Sequence, residues 1–211
     1  MLPQTSEQYR KAALSLANLM PHGQDRLRSV IVSSVSAGEG ATTATVLLGR
    51  HLLQDQGANP IVLEVNHVRP ALSRLFGLDP EKSIASVASG TIRVQDCVQK
   101  DPAGLAVIPA GDMDGHFPNI ESLLCRMVQE LRNRFDFILL DVPPVLESVN
   151  VMIAGRVVSN VVLVVGAGTS SQEAVREACR QLREARLQIV GTILNEKKRI
   201  FPRWLDRSMR P

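Results

Sequence analysis

Aromatic side chains are scarce in this chain: five Phe, one Tyr and one Trp among 211 residues. A core must therefore be built from Leu, Val, Ile and Ala. Cysteine is sparse too. Cys97, Cys125 and Cys179 are odd in number, far apart and not in C-x-x-C spacing. That excludes a disulfide framework and reads as small buried hydrophobes in a reducing cytosol. The four histidines (His22, His51, His67 and His116) are scattered without metal-ligand spacing. No run approaches the ~18 apolar residues of a membrane span. The opening stretch MLPQTSEQYRKAALSL has no unbroken apolar core behind basic residues, which argues against a signal peptide. A soluble, cytoplasmic protein is expected. The net charge of +3 is too small to argue for nucleic acid, and no nucleic-acid partner is expected.

What is present is alternation. Ser29–Ser33, Pro60–Val65, Leu105–Ile108, Asp136–Leu140, Val161–Val165 and Gln188–Leu194 are continuously apolar, as strands covered on both faces are. Between them Thr43–Gln56, Asn119–Arg134, Ser148–Val158 and Ser171–Ala185 carry apolar residues at helical spacing. This predicts a three-layer, doubly wound α/β fold with a mostly parallel sheet. A separate helix, about 6–20, precedes it, with Thr5 and Gln8 as a capping box and Pro21-His22-Gly23 as its stop. The chain divides into a helix and linker (1–28), an α/β domain (29–196) and a basic tail (197–211).

The stretch SAGEGATT, residues 36–43, lies between the first strand and its helix, where a phosphate-binding loop belongs. Such a loop wraps phosphates in backbone N–H groups, aided by the positive end of the next helix. Its lysine reaches the β and γ oxygens and its Ser/Thr hydroxyl holds Mg²⁺. Here Gly38, Glu39, Gly40, Thr42 and Thr43 keep the pattern, but Ala41 stands where lysine is expected. Farther on, the strand FDFILLD delivers Asp141 at its carboxyl end, where open α/β sheets bind ligands.

Taken together, the motifs resemble the cytoplasmic domain of bacterial tyrosine kinases of capsule and exopolysaccharide systems, a branch of the Min/ParA-type P-loop ATPases. The resemblance runs from about Glu7 to Asn195. It rests on EQYR in the leading helix, GEG in the loop, RPALSRLFGL after the second strand, IPAG at 108–111, PNIESLL at 118–124 and DVPPVL at 141–146. It implies a P-loop NTPase fold, with ATP or ADP and Mg held by Gly38 to Thr43, Glu64, Asn66, Asp141 and Asn195. Thr42 and Asp141 are then the metal residues, and Asp141 the catalytic one if any activity remains.

The departures matter as much. Beside Ala41, the family's Asp-Ala-Asp motif reads Glu64-Val65-Asn66 here. The ring-forming Glu-x-x-Arg-x-x-Arg of the leading helix keeps Glu7 and Arg10 but has Ala13. The tyrosine cluster that such kinases phosphorylate is missing, Tyr9 being the only tyrosine. The resemblance thus implies a pseudokinase with weak or absent nucleotide binding. Its partner would be a membrane polysaccharide co-polymerase (chain-length determinant), and its state monomer or dimer. The alternatives are a slow kinase or ATPase completed by a cation from its partner, and a Min/ParA-like positioning factor. Arg50 and Arg69 are the chain's own candidate cations. The tail NEKKRIFPRWLDRSMRP holds six basic and two acidic residues around Phe201 and Trp204. It reads either as a solvated end or as a segment docking on a partner or on the inner face of the plasma membrane.

Overall fold

In the computed structural model, residues 3–19, 28–112 and 119–195 are described. The leading helix α1 spans Pro3–Leu19. Proline is well suited to the first helical position because its missing N–H has no intrahelical acceptor there. Thr5 therefore lies inside the helix rather than capping it, a correction to the sequence expectation. The stop signal Pro21-His22-Gly23 and the tail 197–211 lie outside the described residues.

Seven strands follow: β1 (Arg28–Ser34), β2 (Pro60–Glu64), β3 (Gln99–Lys100), β4 (Ala106–Ile108), β5 (Phe137–Asp141), β6 (Asn160–Gly166) and β7 (Gln188–Asn195). They form one sheet in the order β3-β4-β2-β5-β1-β6-β7. Every pair is parallel except β3 with β4. The helices are α2 (Ala41–Gln56), α3 (Leu72–Phe76), α4 (Ile84–Ala88), α5 (Ile120–Leu131), α6 (Asn150–Ala154) and α7 (Gln172–Glu184). The doubly wound architecture is as expected. The short β3, α3 and α4 were not anticipated, because two to five residues are too few to show a period.

Successive strand residues feed two separate cores. Val30 and Val32 of β1 point to one face with Leu139 and Val164, where α1 and α2 supply Tyr9, Leu16, Leu48 and Leu52. Ile31 points to the other with Leu63, Ile138 and Leu140, covered by Leu124 and Met127 of α5 and Ala178 and Leu182 of α7. Because both faces are covered, β2 and β5 are buried at every position. Gly49 lets α2 lie close to the sheet, since a Cβ there would crowd Leu105. Of the cysteines only Cys97 is buried. Cys125 is exposed, and Cys179 is half-buried at the edge of the core.

The chain leaves β1 toward β2 on one side of the sheet and later fills β6 on the other. Strand order therefore reverses beside β1 and β5, and a crevice opens beyond their carboxyl ends.

Candidate functional site

Two left-handed glycines shape the loop between β1 and α2: Gly38 at φ +83° and Gly40, the N-cap of α2, at φ +88°. A side chain at Gly40 would be strained by its φ and would also collide with the Asn195 amide. The helix starts at Ala41, two residues before the expected Thr43, because Gly40 itself makes the turn and its carbonyl accepts from Ala44 N at 2.9 Å. The resulting concave run of N–H groups at a helix start is suited to an anion.

Several braces hold this loop. The Glu39 carboxylate accepts from Val35 N at 3.0 Å, from Ser36 N at 3.2 Å and from the Ser170 hydroxyl. Glu39 is buried, so this acid closes the loop on itself rather than facing a ligand. Asn195, the last residue of β7, donates from Nδ2 to the Glu39 carbonyl at 2.9 Å. Its Oδ1 accepts from the Tyr9 hydroxyl at 3.2 Å. Helix α1 is thereby tied through one asparagine to the loop. Burial pushes the Tyr9 hydroxyl pKa up, so it stays a donor. Tyr9→Phe is expected to lower stability by about 1 kcal/mol, the usual worth of one such bond. Equilibrium denaturation checks this, and an unchanged midpoint would show that the link carries no weight.

Beneath the loop stand two carboxylates side by side, since Glu64 of β2 is the register partner of Asp141 of β5. Both are fully buried. Glu64 accepts three backbone N–H bonds, from Ala71 at 2.6 Å, Leu72 at 2.9 Å and Ala110 at 3.0 Å. It fastens the segments after β2 and β4 to the sheet. Asp141 is less well served. Its Oδ2 accepts from the Thr42 hydroxyl at 2.8 Å, and its Oδ1 is buried without a hydrogen-bond partner. Burial, reinforced by the Glu64 charge and partly offset by the Thr42 and Thr45 hydroxyls, pushes the Asp141 carboxyl up to about 7.

Above these acids a cleft of about 320 Å³ is lined by Gly38, Gly40, Ala41, Thr42, Thr43 and Asn66, with Arg69 and the 142–148 segment opposite. Glu39, Glu64, Asp141 and Asn195 stand behind this lining and support it. Arg69 is exposed at the cleft, its N–H donating to Asn66 Oδ1 at 3.3 Å. Arg50 is elsewhere. It grips the buried Asp101 at 2.7 Å and lies over the Phe76 ring, so it is neither a cleft cation nor simply solvated. Sequence reasoning passed over Glu147, whose Oε1 accepts from Ala37 N at 2.6 Å inside the cleft. Its only sequence signal is a place on the loop after β5, at the switch point.

Known proteins resemble this chain in sequence and fold. The chain is 26% identical over 199 residues to the tyrosine-protein kinase YwqD of Bacillus subtilis strain 168, which covers 92% of this chain and 81% of that protein. The solved kinase domain of VpsO matches with a TM-score of 0.74 at 26% identity, covering 92% of this chain and 98% of that one. The chain's homologues are bacterial tyrosine kinases of the capsule and exopolysaccharide type. No family model matches the chain. Cobyrinic acid a,c-diamide synthase from Mycobacterium smegmatis, solved with bound ADP and magnesium, matches at a TM-score of 0.66 and 21% identity over 79% of this chain and 73% of that one. The fold is that of the P-loop NTPases.

The leading helix carries the positions of the expected ring motif. Arg10 pairs with Asp55 of α2 at 3.4 Å and Glu7 with Lys11 at 3.2 Å, so both are engaged inside the chain. Ala13 is buried in the core beside α2. A long basic side chain would not fit there without moving the helix. Among the described residues no helix is long and apolar enough to cross a membrane, and no cluster of potential metal ligands occurs.

Proposed function

We propose that this chain is a kinase-like module with impaired phosphoryl transfer that regulates exopolysaccharide or capsule biosynthesis by binding a membrane polysaccharide co-polymerase. The observation that carries the reading is Ala41 at the start of α2. A methyl group would then stand where the family's lysine is expected to meet the phosphates. Transfer of a phosphoryl group depends on positioning and on neutralising charge at the γ-phosphate. Removing a cation there costs several powers of ten in rate while leaving some binding.

The remaining parts fit a nucleotide with Mg²⁺. The loop amides between Gly38 and Thr43 would hold phosphate oxygens, and Asn66 lines the same cleft. Thr42 and Asp141, with its unpartnered Oδ1, would hold the metal's shell. When bound, the metal would screen phosphate charge. Glu39, Glu64 and Asn195 would shape the site without touching the ligand. A second reading, a slow kinase or ATPase completed by its partner, is favoured by the intact Thr42–Asp141 pair and by Arg69 at the cleft. The module would work at the inner face of the plasma membrane, with residues 197–211 docking on the partner and self-association limited to monomer or dimer.

Incubation with ATP–Mg²⁺ followed by mass spectrometry separates the two readings. No phosphotyrosine is expected, since the single tyrosine is buried against Asn195. Capture of the co-polymerase by the same preparation is expected. Stoichiometric phosphotyrosine that vanishes in Asp141→Asn would replace the first reading with the second.

A further inference from the structure

We propose that Glu147 is the internal anion of the loop cradle: its carboxylate holds the Ala37 amide that a phosphate oxygen would otherwise engage, and so sets how weakly the cleft takes polyphosphates. This rests on the cleft being nucleotide-derived, as read above.

The placement of Glu147 is built into the backbone. Val145 N donates to the Ser34 carbonyl at 2.8 Å and Leu146 N to the Val35 carbonyl at 3.3 Å. The Ser33 hydroxyl donates to the Pro143 carbonyl at 2.7 Å. Residues 143–146 are thus bonded along the end of β1 and the start of the loop. Glu147 follows immediately, its own N–H donating to the Pro144 carbonyl at 3.1 Å. From there its Oε1 reaches Ala37 N at 2.6 Å, short as hydrogen bonds to charged acceptors are.

The chemistry follows from competition. One N–H can donate fully to the carboxylate or to a phosphate oxygen, not to both. A phosphate entering beside the carboxylate also meets like charge at short range. Among the residues lining the cleft, Arg69 is the cation and Glu147 the acid, so the two cancel. A phosphate-binding loop ordinarily presents net positive charge. Here one N–H of the loop, that of Ala37, is already taken by an acid of the chain itself.

The test is calorimetric titration of the full chain and of Glu147→Gln with adenosine, ADP–Mg²⁺ and ATP–Mg²⁺, each also in an Ala41→Lys background. Removing the charge is expected to tighten ATP–Mg²⁺ roughly tenfold, ADP–Mg²⁺ less, and adenosine not at all. The Ala37 amide resonance should shift in the unliganded variant, reporting the lost carboxylate. A merely structural Glu147 would change thermal stability without a gain that rises with phosphate number. Equal affinities for parent and Glu147→Gln in both backgrounds, including no binding in any of the four proteins, would overturn the proposal. The reading of the cleft as impaired fails separately, through tight ATP binding by the unmodified chain whatever the ratio between variants.

Discussion

At about pH 8, Asp141→Asn is expected to unfold at a higher temperature than the parent, with the advantage shrinking as the pH is lowered and nearly gone near pH 4. Asp141 is fully buried beside Glu64, and its carboxyl is pushed up to about 7 from an ordinary value near 3.8. Between those two values the folded protein holds a proton that the unfolded chain has released. Stability therefore falls as pH rises through this window and levels off above about 7. The shift corresponds to about 4 kcal/mol at high pH. For a chain of this size that is on the order of 10 °C. Asparagine removes the charge yet keeps an acceptor for the Thr42 hydroxyl. Melting curves of both proteins across the range check the expectation. Equal melting at every pH would show that the buried carboxylate is not destabilising.

The second large effect concerns Ala41. Replacing it with lysine should tighten ATP–Mg²⁺ binding by roughly ten- to a hundredfold, since a charge-assisted hydrogen bond contributes ~1.5–3 kcal/mol. Ala41 is the first residue of α2 and lines the cleft, so a long side chain there can extend toward a ligand. Ala41→Met is the control for bulk. If methionine gives the same gain, the charge is not what the cradle lacks.

Much of this was legible in the residues. The continuous apolar runs that became β1, β2, β5 and β6 could be read as a covered parallel sheet, because nearly every residue in them is buried on one face or the other. The loop could be read from Gly38, Gly40 and Thr42, whose spacing reflects backbone turns and a hydroxyl at a helix start. The position of Asp141 followed from its place at the end of an apolar strand. What stayed hidden depends on contacts distant in sequence. No local pattern tells that Tyr9 meets Asn195, or that Glu147 meets Ala37 across 110 residues. Glu64 shows the difference most clearly. Its identity marked it for a ligand-binding motif, while its carboxylate is taken up by the N–H groups of Ala71, Leu72 and Ala110. Arg50 is similar, because only the fold brings Asp101 within its reach.

The central claim is that a phosphate cradle persists here without the charge that would make it bind tightly. The most direct measurement is calorimetric titration of the unmodified chain with ATP–Mg²⁺ at moderate salt. The account predicts a dissociation constant of roughly 0.1–1 mM, near the −4 to −5.5 kcal/mol of a weak site, or no detectable heat. A submicromolar constant would contradict it.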